Sequence, residues 1–294
     1  MVTRQLWLLA LPAALDVFLW LGPRLRAPDL WRYVAFDIPA GLDTQTRLMA
    51  QDLQQTLRAA IEGFNWLSFL RPTLLGVPGL MDGASTPAPV GMKPVEWQID
   101  TLLGLMGIVL ISLLIGVGLG GLYWSLIARQ ARDERLDWGA VIARMSVVWP
   151  RLIGLGALIV GLALAICLGA ALITLMLSAI STLAVMLAVS LIIWLLFYFA
   201  FSLHGIVLYN QRVMEAVRAS VRLGRTQFWS VFGMILALLA VEWGMSLIWR
   251  LASTDSWLWG VAIFGNAFVA AGVSTATMLF YMDRVPVPSS AIAP

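Results

Sequence analysis

Long apolar runs separated by short charged connectors set the pattern of this chain. Residues 5–22, 100–127, 151–178, 183–209, 228–249 and 257–282 are runs in which apolar residues dominate on every face of a helix. A run of about 20 such residues is what a helix needs to cross roughly 30 Å of hydrocarbon. The pattern therefore predicts an all-α fold, a polytopic transmembrane helix bundle of six spans. The first run, QLWLLALPAALDVFLWLG, contains Pro12 and Asp16 and has no small-x-small cleavage site, so it reads as an uncleaved first span, tilted or partly inserted, rather than a signal peptide.

The connectors carry a second period. In 211–227, Val213, Val217 and Val221 fall at i, i+4, i+8, and Arg218, Arg222 and Arg225 fall at i, i+4, i+7 on another face. That spacing predicts a two-faced helix lying in the membrane interface, valines toward lipid and arginines toward headgroups or a partner. Residues 131–149 have the same layout. Both connectors precede a pair of spans, which reads as a parallel internal repeat. The small residues Gly116 and Gly120 in one span, and Gly161, Ala165 and Gly169 in the next, predict close packing against neighbouring helices.

Residues 23–98 differ. Seven basic and seven acidic residues balance there. A helix is expected from Asp43, as N-cap, to Gly63, with Met49, Leu53, Leu57, Ala60, Ile61 and Phe64 on one face. NWLSFLRPTLLGVPGLM follows, too interrupted by Arg71, Pro72 and Pro78 to cross. The segment reads as a small extracytoplasmic helical subdomain held against the membrane. The domain expectation is thus a first transmembrane helix over 1–22, the outer segment over 23–98, a five-helix body with interfacial helices over 99–284, and a disordered proline-rich tail over 285–294.

Composition agrees with the pattern. The 294 residues are 61% hydrophobic and 12% charged, with mean hydropathy +0.88. A water-soluble domain carries about 25% charged residues, so this chain is expected in a membrane. The net charge of +3 does not point to nucleic acid, because the arginines cluster beside spans. Arg129, Arg132, Arg135, Arg144 and Arg151 occupy one connector and Arg212, Arg218, Arg222 and Arg225 the other, whereas the 5–6 turn has Arg250. The positive-inside bias puts both connectors on the cytoplasmic side of the membrane. Six spans then leave both termini cytoplasmic and residues 23–98 outside. Trp97, Trp124, Trp149, Trp229, Trp249, Trp257 and Trp259 sit near span ends, as an aromatic belt does.

Little in the chain carries chemistry. There is no HExxH, GxSxG or Walker A sequence, and no GxGxxG with a following acid. One histidine excludes a multi-histidine metal site, and one cysteine, Cys167, excludes an intrachain disulfide and reads as a small packing residue. No enzyme activity, catalytic residue, cofactor or metal is expected. Ionisable groups inside spans default to function. Asp16 lies about 17 Å from the cytoplasmic edge, and Glu242 and Asn266 about 16–21 Å, at 1.5 Å per residue. These three form the candidate buried polar site, either proton- or cation-linked or serving only to fix helix packing. His204 is expected to bond Ser274 or Thr277. Two functional classes follow: a membrane scaffold, assembly or envelope factor, and a small transporter or lipid-handling permease using Asp16, Glu242 and Asn266. The partners expected are membrane lipids and other proteins or a second copy, with no nucleic acid.

The pattern FxxHGIVLYNxxxxEAVRASVRLxRxxFWxVFG resembles the helix-loop-helix of a bacterial membrane-protein group described as the membrane domain of glycerophosphoryl diester phosphodiesterases, with related multi-span domains. The residues that carry the likeness are Tyr209, Asn210, Glu215, Ala216, Ser220, Arg222, Phe228 and Trp229. The opening LPAALDVFLWLGPRL is similar to the start of such proteins. The resemblance covers residues 100–283 and implies the membrane part only. No stretch has the alternation a (β/α)₈ phosphodiesterase barrel needs, so no catalytic residue is carried over.

Overall fold

The computed structural model describes residues 6–35, 37–38, 41, 43–81, 83, 89, 91–134, 137–177, 180–249, 251–253 and 255–285. The stretch 84–88, Arg135, Ser178, Arg250 and the tail from 286 onward lie outside the described residues, and so do the expectations placed on them. Among the described residues the fold is all-α apart from two three-residue strands. The helices are α1 (Ala10–Leu21), α2 (Trp31–Val34), α3 (Thr44–Gly63), α4 (Leu102–Ala131), α5 (Trp138–Met176), α6 (Ser181–Phe199), α7 (Ser202–Tyr209), α8 (Val213–Thr226), α9 (Phe228–Trp249) and α10 (Leu258–Arg284). Two compact units divide the chain: Met1–Gly116 with Gly244–Ala270, and Val117–Trp243 with Ala271–Pro294.

Among the described residues five helices are long and apolar enough to cross a membrane: α4, α5, the α6–α7 stretch, α9 and α10. Their surfaces are what lipid requires. Leu164, Leu168 and Leu175 on α5 are 64%, 63% and 82% exposed. A row of bare leucines suits a lipid surface rather than water. The expected first span is different. It forms a four-residue 3₁₀ turn, Leu6–Leu9, followed by the 12 residues of α1, about 18 Å of α-helix. That helix is shorter than a crossing takes.

The first unit is built around α1. Ala13, Leu19 and Trp20 pack with Met81, Trp259, Ala262, Ile263 and Ala267 in one apolar core. Trp259 is therefore a core residue and not part of an aromatic belt, and its indole N–H points at the Met81 sulfur at 3.4 Å. After α1 the chain runs into strand β1 (Arg24–Arg26), which pairs in parallel with strand β2 (Glu96–Gln98), joining the two ends of the 23–98 segment. Asn65 ties this pair to the middle of the segment. Its side-chain oxygen accepts from the Leu25 N–H at 3.0 Å and from the Leu67 N–H at 3.2 Å, capping the 3₁₀ turn Trp66–Leu70. Helix α3 starts directly after Asp43 and ends at Gly63, as the capping residues predict. The first half of its apolar face is uncovered, with Met49 and Leu53 62% and 53% exposed, while Leu57 and Ile61 are half-buried.

In the second unit α5 is one unbroken helix of 39 residues with Pro150 inside it. The expectation of a separate interfacial helix over 131–149 is thus corrected. Asp137 caps α5 by accepting from the Gly139 and Ala140 N–H groups at 2.9 and 3.4 Å. At about 58 Å the helix is nearly twice a hydrocarbon thickness, so from Trp138 onward connector and expected span form one helix. In the other half-unit α8 stops at Gln227 and α9 restarts at Phe228, so the two proposed repeats differ in construction.

α8 also departs from its expected seat. It folds back antiparallel along α7. Ala216 lies beside Gly205, the Ser220 hydroxyl donates to the Tyr198 carbonyl at 2.7 Å and accepts from the Phe201 N–H at 3.2 Å, and Gly224 lies against the Tyr198 ring. The face that packs is the small-residue row Ala216, Ser220, Gly224, with Val217 and Leu223, all buried. Val213 and Val221 are only half-buried. Small side chains win the contact because they let two helices approach closely. The same logic holds for Gly118 and Gly121, which face Trp149, Met145 and Leu152. It fails for Gly161 and Gly169, which have no neighbouring side chain within 4 Å, and Cys167 beside them is exposed rather than packed.

Candidate functional site

Asp16 is fully enclosed, and its partners are now visible. One carboxylate oxygen accepts from the Arg71 guanidinium at 2.6 Å and from the Met81 N–H at 3.0 Å. The other accepts from the Leu80 N–H at 2.6 Å. Arg71 is 15% exposed, so the pair is shielded from solvent. Arg71, which helps make 65–81 unfit to cross, is the residue that reaches Asp16 from this loop. Gly79 completes the site. A Cβ there would come within 2.6 and 2.7 Å of the two Asp16 oxygens and 2.8 Å of the Arg71 nitrogen. Only a glycine lets the backbone amides reach the carboxylate. Gly116 is recruited to the same loop: a Cβ would meet the Leu70 carbonyl at 2.5 Å, so it packs on a loop instead of a helix.

Of the residues expected to form the buried polar site, Asp16 bonds Arg71, Leu80 and Met81. No hydrogen bond joins Asp16 to Asn266, which is half-buried on the α10 part of the same unit. Glu242 belongs to the second unit and is exposed on α9. Sequence distance hid the true partner: Arg71 lies 55 positions from Asp16, in a segment whose arginine looked like a mere obstacle to insertion.

In the second unit Arg132, just after α4, and Arg144 and Arg151, on α5, converge on the end of α7. Arg144 donates to the Val207 and Leu208 carbonyls at 2.7 and 3.0 Å, and Arg132 also donates to Leu208. Arg151 donates to the Asn210 side chain at 2.7 Å and to the Gln211 carbonyl at 3.2 Å. Asn210 takes the left-handed conformation, φ 52°, that ends the helix. The last carbonyls of a helix lack intrahelical partners and carry the negative end of its dipole, so guanidinium groups stabilise them. These basic residues have a structural task at the end of α7.

His204 does not bond Ser274 or Thr277. Tyr123 donates to Ser274 at 3.3 Å, Thr277 donates to the Ser274 carbonyl at 2.8 Å, and both His204 ring nitrogens are without a hydrogen bond. The imidazole is buried among rings, with centroids at 5.3 Å to Phe201, 5.7 Å to Trp124 and 5.8 Å to Tyr281. It fills space as an aromatic side chain.

Arg218, Arg222 and Arg225 all stand exposed on the free face of α8, flanking a shallow groove with Val217, Val221 and Thr226. No group of three or more His, Cys, Asp or Glu residues that could hold a metal occurs among the described residues. No family model, no curated protein and no solved structure matches this chain.

Proposed function

We propose that this chain is a multi-pass scaffold or assembly factor of a bacterial plasma membrane, without enzymatic activity. The observation that carries the reading is the occupancy of Asp16. Its oxygens accept from Arg71, Leu80 and Met81, and its side chain is fully buried. A carboxylate that carries protons or cations must exchange partners with water along a path. One that bolts a loop to a helix needs to be held, as this one is. Glu242 supports the same reading from the other unit. It is exposed on an apolar crossing helix, between Val241 and the 75%-exposed Trp243. An ionisable group on such a surface is met by a second protein, or a second copy, rather than by hydrocarbon. The likeness of residues 201–233 to phosphodiesterase membrane domains adds a membrane role without adding an activity.

In this reading the connectors bearing Arg132 and Arg222 face the cytoplasm, following the positive-inside bias. Five crossings then leave α1 and residues 23–98 together on the outer side, where Asp16 and Arg71 meet, and α10 ends inside. The topology is tested by cysteine labelling in a Cys167→Ser background. Lys93→Cys should react with an impermeant maleimide from outside, and Arg222→Cys only after permeabilisation; the reverse pattern overturns the orientation. The scaffold role is tested on the purified chain. A particle larger than the 32.2 kDa monomer, with no proton flux in proteoliposomes, is expected. A monomer whose proton flux disappears with Glu242→Gln would make it a transporter instead.

A further inference from the structure

We propose that the exposed arginine face of α8 binds the phosphate headgroups of anionic phospholipids. The inference rests on the membrane reading above and names the lipid class that this face takes.

The first support is position. α8 runs back along α7 and ends where Phe228 packs against Phe197 at 5.4 Å and Trp194 at 6.2 Å. Around that point Trp194, Trp229 and Phe232 are 44%, 78% and 42% exposed. Amphipathic rings gather at the headgroup level of a bilayer. Arg222 and Arg225 lie within the last two turns of α8, at the same level as this collar.

The second support is availability. Arg132, Arg144 and Arg151 are committed to the end of α7, and Arg129 to Glu134. Glu215, the acidic residue of α8, accepts from the Arg212 N–H at 3.0 Å at the start of the helix. Among the described residues no carboxylate forms an ion pair with Arg218, Arg222 or Arg225. Three positive charges on one face thus remain for an outside anion.

The third support is chemistry. A guanidinium fork matches two phosphate oxygens at once, and the i, i+4, i+7 spacing spreads three forks over about 10 Å of helix. Between them Val217 and Val221 form an apolar floor. A soluble acidic partner would satisfy the arginines and leave Trp229 and Phe232 bare. A bilayer with anionic headgroups covers both.

The test uses the full chain in nanodiscs of phosphatidylcholine with a minor fraction of phosphatidylglycerol, reading co-purified lipid by native mass spectrometry. Wild type should enrich phosphatidylglycerol. The R218Q/R222Q/R225Q variant should lose about tenfold or more of that enrichment, since each basic group near an anionic surface contributes several-fold. R218K/R222K/R225K should keep part of it, and R47Q/R58Q on α3 should keep all of it. Should the triple variant fail to fold, each single glutamine variant should still show a several-fold loss. Wild-type enrichment in R218Q/R222Q/R225Q, or an equal loss in R47Q/R58Q, overturns the proposal. An inserted wild-type chain without lipid preference overturns it alone. Release of the chain from native membranes by alkaline carbonate overturns the membrane reading and this proposal together.

Discussion

The carboxylate of Asp16 and the guanidinium of Arg71 stand 2.6 Å apart, the first fully buried in α1 and the second bent over it from the loop that ends at Met81. Breaking one side of a buried pair leaves an uncompensated charge, which costs about 3–5 kcal/mol. Arg71→Ala and Asp16→Asn should each lower the unfolding midpoint in detergent, Arg71→Ala the more. The Asp16→Asn/Arg71→Ala double variant should lose less than the sum of its parts. Wild-type melting in either single variant would show that the pair does not hold the loop.

Gly79 follows from the same contact. A methyl group would press on both Asp16 oxygens and on Arg71, inside 3 Å in each case. Gly79→Ala should destabilise by about 1–3 kcal/mol through overpacking. Gly233→Ala, where a Cβ meets nothing within 4 Å, should melt like wild type or slightly higher. Comparing the two midpoints separates close approach from general glycine effects.

His204 offers a test with the opposite sign. Its nitrogens are buried and unpartnered, and its ring packs on Phe201, Trp124 and Tyr281. An unsatisfied buried polar group costs about 1–3 kcal/mol. His204→Phe keeps the ring and removes that penalty, so it should melt at or above wild type. A clear loss of stability would mean that the imidazole has a polar partner.

The arginines at the end of α7 make a local prediction. Arg144→Gln/Arg151→Gln removes donors from the Val207, Leu208, Asn210 and Gln211 groups. Each charge-assisted bond to helix carbonyls contributes about 1–2 kcal/mol. Hydrogen exchange should accelerate over residues 205–213 and leave α10 unchanged. Uniform acceleration across the second unit, or none, would show that these contacts do not cap the helix.

Much of this protein is legible from its chain alone. The apolar runs locate α4, α5, α6–α7, α9 and α10, because a run apolar on every face has no stable home but lipid. Asp43 and Gly63 bound α3 because caps act within a turn of the residues they serve. The spacing of Arg218, Arg222 and Arg225 places them on one face of α8, since helical period needs no tertiary information. Tertiary structure alone decided the rest. Arg71 meets Asp16 through a loop closed over 55 positions, and local pattern holds no record of such a partner. Val213 and Val221 yielded the packed face to Ala216, Ser220 and Gly224, because closeness of approach outweighed hydrophobicity once α7 lay alongside. His204 found rings instead of hydroxyls because Tyr123 and the Ser274 carbonyl had already paired the groups at its depth. A sequence states which surfaces avoid water; which of them meet is settled only when the chain has folded and each polar group has found, or missed, its partner.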